Sequence, residues 1–270
     1  MKPTSRPSLR TLFLLACTLG LSAMLPAVLA ARDLINEPFT TFDTNVWKNM
    51  AYSSSGTPGT ISLDAGAGSA LSLGNRGIWT KFSETPLIED FDLSVKIAGL
   101  RSDRLFYVLI TSAPDAEGKV YGYGFRWYTV AGGGTGTVRI LKVNGVNPSN
   151  LNVSSSGASE LGSNINSGFT YTETTPTTST AFGAIRLTWN SSGTLSLYLG
   201  NSVTAAATVT DTSFASFTNL YISSGQSFYL DQLTLSTTST IPEPSAWALL
   251  FGLASIGLVM LRRRIALLRH

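Results

Sequence analysis

Side-chain catalysis needs groups that move protons, carry charge or attack, and this chain keeps most of them away from its central region. Of 270 residues, one is histidine, His270 in the C-terminal tail, and one is cysteine, Cys17 in an apolar N-terminal run. The stretch between them has neither. Ser-His-Asp and Cys-His nucleophilic catalysis, zinc sites of the His/Cys type and disulfides are therefore excluded there. Carboxylates remain. Cleaving a glycosidic bond takes two of them roughly 5–10 Å apart, and Glu89, Asp90 and Asp92 are the densest acidic cluster. They run into Phe91-Asp92-Leu93-Ser94-Val95-Lys96-Ile97, where apolar and polar residues alternate. The cluster reads as the polar face at the start of a strand.

Aromatic residues offer a different chemistry. Tyr121, Tyr123, Phe125 and Trp127 fall on one face of a strand, with Arg126 and Tyr128 on the other. Sugar rings stack on exposed aromatics while neighbouring polar groups bond their hydroxyls, so Tyr121, Tyr123, Trp127, Tyr128 and Arg126 are the candidate glycan-binding residues. One face of the strand must be core, where most aromatics go. Trp47, Trp79 and Trp189 read as core. No cofactor is expected. Calcium would draw on Asp103, Asp115, Glu117 and the 144–152 loop, but no ordered ligand spacing marks a site. Gly132, Gly133, Gly134 and Gly136 lie between strands, which makes a turn rather than a phosphate cradle.

The charges sort by position. The chain has 19 Lys+Arg and 16 Asp+Glu, a net charge of +3. Seven of the bases lie in the first ten and last nine residues, leaving 12 against 16 between them. The basic balance belongs to the ends, and an acidic middle argues against a nucleic-acid partner. Residues 1–30 have a basic start, an apolar run, and Val28 and Ala30 at −3 and −1 of a cut before Ala31. They read as a secretory signal peptide, handled by the Sec translocon and signal peptidase. An uncut anchor is the alternative. A lipid-bearing Cys17 would leave only residues 11–16 as the apolar region, short of the ~7–15 such signals need. At the other end, 246–261 carries no charge and precedes Arg262, Arg263 and Arg264. Sixteen apolar residues, somewhat under the ~20 of a comfortable span, predict a transmembrane helix with Trp247 at the outer interface. The three arginines act as a stop-transfer signal on the cytoplasmic side.

The elements that must position any site are strands. Residues 31–235 show no sustained helical period, and alternation recurs at 91–97 and 185–189. After a turn at 190–193 the pattern resumes at Leu195, Leu197 and Leu199, which predicts a β-hairpin. Further strands are expected at 105–111, 121–130, 138–143, 220–223 and 228–235. The 144–180 stretch is poor in large apolar residues; a structureless loop of that length is rare, so it is functional, partly disordered, or holds a short strand near 169–171. Residues 236–240 read as a polar linker.

Two resemblances follow from these residues. Ile241-Pro242-Glu243-Pro244-Ser245, the apolar helix and the arginine cluster resemble the PEP-CTERM sorting signal, residues 241–270. The resemblance implies recognition of Pro242, Glu243 and Pro244 by an exosortase, a membrane-embedded cysteine transpeptidase of exopolysaccharide-producing Gram-negative bacteria. The middle resembles concanavalin A-like (laminin G, lectin, glucanase) jelly rolls, through the segments opening at Phe39 and Asp90, the 185–193 segment and the closing 228–235 strand. That implies an all-β jelly-roll sandwich in which first and last strands pair and a concave face can hold a glycan. Jelly-roll glucanases show Glu-x-Asp with a second Glu soon after. Here Phe91 occupies the Asp position, and Leu93, Ser94 and Val95 follow. The expectation is an exported, surface-sorted, non-catalytic protein of the envelope or exopolysaccharide matrix with weak glycan binding. A polysaccharide-active enzyme and a ligand-free matrix filler are the alternatives.

Overall fold

A computed structural model describes residues 31–51, 62–64, 70–73, 76–99, 104–129, 135–148, 157–170, 182–225 and 228–238. The sorting motif, the three arginines after it, the signal peptide and the 246–261 helix lie outside these residues. Among the described residues no helix is long and apolar enough to cross a membrane. Residues 31–238 form one compact unit, with fifteen strands among the described residues.

The strands build two antiparallel sheets. The first runs β13 (Ala207–Thr210), β12 (Thr194–Leu199), β11 (Gly183–Trp189), β6 (Phe91–Gly99), β15 (Phe228–Thr238), β4 (Ala70–Leu73), β3 (Ser62–Asp64). β1 (Ala31–Glu37) also pairs with β15, so first and last strands are neighbours. The second runs β10 (Ala158–Thr170), β9 (Thr135–Val146), β8 (Val120–Thr129), β7 (Arg104–Thr111), β14 (Asn219–Ser224), β5 (Arg76–Lys81), β2 (Lys48–Ala51).

Alternation sets the faces. In β6, Phe91, Leu93, Val95 and Ile97 are buried while Asp92, Ser94 and Lys96 point away from the core. β11 does the same with Ile185, Leu187 and Trp189. The β11–β12 hairpin closes through Gly193 N donating to Asn190 O at 2.8 Å and Thr194 N donating to Asn190 Oδ1 at 2.9 Å. Gly193 has φ +83°, and a Cβ there would meet Asp211 O at 2.7 Å, so the turn requires glycine twice over.

Between the sheets lies a core rich in rings. Phe228 of the first sheet meets Phe106 at 5.1 Å and Trp127 at 5.5 Å, both from the second. A second group centres on Phe217, which packs edge-on against Phe91 and Trp189 and reaches Tyr123 at 6.1 Å. Phe217 is tied through its backbone to Leu87.

Two sequence expectations need correction. Within the 144–180 stretch the strand expected near 169–171 is much longer: β10 runs thirteen residues, ends at Thr170 and pairs with β9 at the sheet edge. An edge strand needs few large apolar residues, so composition hid it. Ser236, Thr237 and Thr238 are not linker. They extend β15 against β1, and Thr237 is buried, donating its hydroxyl to Asp90 O at 2.6 Å.

Phe217→Ala is expected to lower unfolding free energy by about 3–5 kcal/mol, because it empties the junction of three rings. Urea unfolding of the purified protein followed by tryptophan fluorescence measures it.

Candidate functional site

Strand β8 decides where a site can lie. Its odd positions Tyr123, Phe125 and Trp127 have no exposure and belong to the core between the sheets. Its even positions Gly122, Gly124, Arg126 and Tyr128 belong to the opposite, outer face. Tyr123 and Trp127 are therefore corrected from candidate glycan contacts to core residues: burying one face of β8 needs its largest apolar rings. Tyr121 is turned elsewhere, its hydroxyl donating to Asp115 Oδ2 at 2.8 Å and its ring near Phe214. Arg126 and Tyr128 alone of the five stay on the outer face.

Register assembles that face into rows. One row crosses the sheet as Glu160 (β10), Leu141 (β9), Gly124, Leu109 (β7), Tyr221 (β14) and Trp79 (β5). The next holds Arg139 (β9), Arg126, Tyr107 (β7) and Ser223 (β14), and beyond it lie Thr137, Tyr128 and Leu105. Gly124 matters for shape. A Cβ there would meet Val108 O at 2.0 Å and the Leu109 side chain at 2.8 Å, so the bare backbone lets Leu109 close over the strand.

Rings and charges share this surface. Trp79 and Tyr221 stack at 5.9 Å and 20°. The Arg126 guanidinium lies 6.0 Å from the Tyr128 ring. Glu160 sits between two arginines: Arg126 Nε donates to its Oε1 at 2.5 Å, with Arg126 Nη2 on the same oxygen and Arg139 Nη1 on Oε2. Burial pushes the Arg126 pKa down, yet a guanidinium stays charged at any physiological pH. Tyr221 is pushed up by burial, opposed by the bond its oxygen accepts from Asn219 Nδ2 at 3.0 Å. Asn219 Oδ1 and Ser223 Oγ are buried on this face without a hydrogen-bond partner. Neither oxygen is accessible from outside, so each is a cost of burial at its position.

Sequence reasoning missed Tyr221, Arg139 and Glu160; Trp79, which it assigned to the core, packs against the buried apolar cluster of this face and stays partly exposed. One signal was present: residues 105–110 are apolar at every position, which marks a strand buried on both faces.

The other candidates are structural. Thr237 Oγ1 lies 3.1 Å from Glu89 Oε2, and Asp90 Oδ1 accepts from Ser191 N at 2.8 Å. Asp92 is held up by burial against the pull of Arg186, 3.9 Å away. Asp115 Oδ1 accepts from Lys119 N and Glu117 N, which holds its carboxyl low along with the Tyr121 bond. Of the remaining calcium candidates, Asp103 and residues 149–152 lie outside the described residues. Among the described residues no group of three His, Cys, Asp or Glu is close enough to hold a metal ion.

Comparison with known proteins follows this geometry. A model described as "PEP-CTERM protein-sorting motif" matches residues 240–264. The tail carries that motif. No curated protein matches the chain in sequence. Among solved structures, a Bacillus licheniformis β-glucanase has TM-score 0.50 at 10% identity, covering 76% of this chain and 98% of its own. β-Agarase A from Zobellia galactanivorans has TM-score 0.50 at 13% identity, covering 78% and 94%. A native glycosidic hydrolase reaches 0.52 at 11%, covering 80% and 99%. Likeness at such identities is likeness of fold. The domain has the jelly-roll fold that the sequence resemblance implied, and function must be argued from its own side chains.

Tyr123 keeps one polar duty. Its hydroxyl donates to Asp211 Oδ1 at 2.6 Å, and burial with that carboxylate pushes its pKa well above the ordinary range. Burial alone would raise Asp211, but Lys142 Nζ on Oδ2 at 2.8 Å, Tyr123 and Ser213 outweigh it and hold the carboxyl far below 3.8. A carboxyl lowered in the folded state contributes stability that is complete above its ordinary value and lost as pH falls below it. Asp211→Asn is expected to cost about 1–3 kcal/mol at pH 7 and to flatten the loss of stability between pH 4 and pH 2. Urea unfolding at stepped pH checks both.

Proposed function

We propose that this is an exported, surface-sorted protein whose jelly-roll domain serves the bacterial envelope or exopolysaccharide matrix as a non-catalytic, glycan-binding component. The observation that carries the reading is the outer face of the seven-stranded sheet. It combines two partly exposed rings, Trp79 stacked on the buried Tyr221 and Tyr128 beside the Arg126 guanidinium. Such rings supply flat apolar contact to a sugar, and the guanidinium supplies donors.

The acidic side chains favour binding over hydrolysis. Among described strand residues, the outer face holds one carboxylate, Glu160, with both oxygens committed to arginines. Two carboxyl groups are needed to cut a glycosidic bond by the usual route. Glu89, Asp90 and Asp92 serve the first sheet and its turns instead.

The motif at 240–264 implies processing by an exosortase and membrane-anchored sorting. In our reading the Sec translocon and signal peptidase export the chain from a Gram-negative cytoplasm. The 246–261 helix and Arg262, Arg263 and Arg264 then hold the tail in the inner membrane. The exosortase recognises Pro242-Glu243-Pro244 and releases the domain to the cell surface.

Trp79→Ala and Tyr128→Ala are each expected to weaken polysaccharide binding three- to tenfold, about 0.5–1.5 kcal/mol per ring, with unchanged circular dichroism. Affinity electrophoresis against polysaccharides including the producer's own measures it. Binding to none of them overturns the glycan reading, and release of shortened products establishes an enzyme.

Sorting has its own test. Mass spectrometry of the mature protein is expected to find a C-terminus near Pro242-Glu243-Pro244, and to find His270 retained when those three are alanine. An intact tail in wild-type cells with an active exosortase overturns processing.

A further inference from the structure

The outer face of the seven-stranded sheet opposes the domain in charge. Between the basic ends the chain is acidic, 12 Lys+Arg against 16 Asp+Glu. Register nevertheless brings Lys48, Lys81, Arg126 and Arg139 to this one face, against Glu160 alone among described strand residues. Lys81 meets the highly exposed Glu84 of the following turn. Among the described residues the arginines have no such relief. Glu160 is a single carboxylate shared by two guanidiniums, and the Arg139 Nε donates to a neutral acceptor, Asn164 Oδ1. The side chains of Arg126, Arg139 and Glu160 are 11%, 24% and 19% exposed, so among the described residues one positive charge is left over in a poorly solvated setting.

A charge of this kind is costly unless something neutralises it. Crowding two arginines beside one glutamate is a poor way to stabilise a sheet and a good way to prepare a receptor for an anion. A guanidinium presents paired N–H donors that match a carboxylate, and it loses less to desolvation than an ammonium does. Position supports this. Arg139, Arg126, Tyr107 and Ser223 form one row on four adjacent strands, about 14 Å across at ordinary strand spacing, with Tyr128 in the adjoining row.

Building on the glycan reading above, we infer that the ligand of this face is an acidic polysaccharide, a polyuronate whose carboxylate docks at Arg126 and Arg139 while a ring rests on Tyr128. The acidic surface elsewhere on the domain repels polyanions, so binding must run through this cluster.

The test titrates the full exported protein with polygalacturonate and with a neutral β-1,3-1,4-glucan, at 50 and 300 mM NaCl. Polygalacturonate is expected to bind more tightly, with affinity falling as salt rises. Arg139→Gln should weaken that binding about tenfold or more and flatten its salt dependence, while Arg139→Lys should recover part of both. Equal, salt-indifferent binding of both polymers overturns the inference and leaves the glycan reading standing. Binding of neither overturns both. Polygalacturonate binding untouched by Arg139→Gln overturns the assignment to this cluster. The salt response of the unaltered protein decides for or against an anionic ligand without any substitution.

Discussion

Nothing covalent joins the two sheets of this domain. Without a cysteine or a histidine between residues 31 and 238, neither a disulfide nor a metal of the His/Cys type can clasp them, and the rings interleaved between the sheets must do so. Phe228 against Phe106 and Trp127, and Phe217 against Phe91, Trp189 and Tyr123, are where the sheets meet. Because side chains alternate along a strand, committing one face to that junction fixes what the other can offer. In β8 the commitment of Tyr123, Phe125 and Trp127 leaves Gly122, Gly124, Arg126 and Tyr128 outward. The glycines remove bulk, Arg126 brings charge, and Tyr128 brings a ring. The outer face is thus the complement of the core, strand by strand.

How much of this could be read from residues alone depended on how unequal the two faces of a strand were. Phe91-Asp92-Leu93-Ser94-Val95-Lys96-Ile97 and the 185–199 hairpin differ sharply between faces, and both form the strands their alternation predicts. In 121–128 alternation revealed a strand, but both faces hold aromatics, and parity alone does not tell which one is core. The deciding fact, Phe228 and Phe217 packed against the odd positions, is tertiary. β10 escaped because an edge strand can be polar on both faces, and its pairing with β9 breaks register at 161–165 and again at 166–170. Trp79, read as core, does pack on a buried cluster, but on the outer face of its sheet, because a lone tryptophan carries no sign of the face it occupies. The paired-strand architecture, with β1 against β15, followed from resemblance rather than from any local pattern.

Charge shows the same dependence on arrangement. The overall excess of bases comes from the two ends, and the middle is acidic, yet one face of that middle is basic. Composition averages over all three levels. Only register brings Arg126 and Arg139 onto adjacent strands, with Glu160 one strand further out and too few oxygens to satisfy both. Asp211 shows the opposite arrangement, where one carboxylate collects Lys142, Tyr123 and Ser213 and no charge is left over. That cluster closes a seam at the end of the core, whereas the Glu160 cluster leaves an unmet demand.

Unmet demands need weighing, because they are not confined to the outer face. Trp189 Nε1 is buried in the core without a partner, as is Thr218 Oγ1. A single orphaned atom costs about 1–3 kcal/mol and is tolerated for the packing its side chain provides; the Trp189 ring, wedged between Phe91 and Phe217, is such a case. Asn219 and Ser223 have small, polar side chains whose packing a threonine or alanine would match, so their own packing does not account for them. They lie on a face that carries a buried apolar cluster of its own, with Tyr107, Leu109, Leu141, Val143 and Tyr221, so their cost is that of packing two layers of side chains onto one sheet. What the face keeps accessible is at its margins, in the partly exposed Trp79, Tyr128 and Arg139.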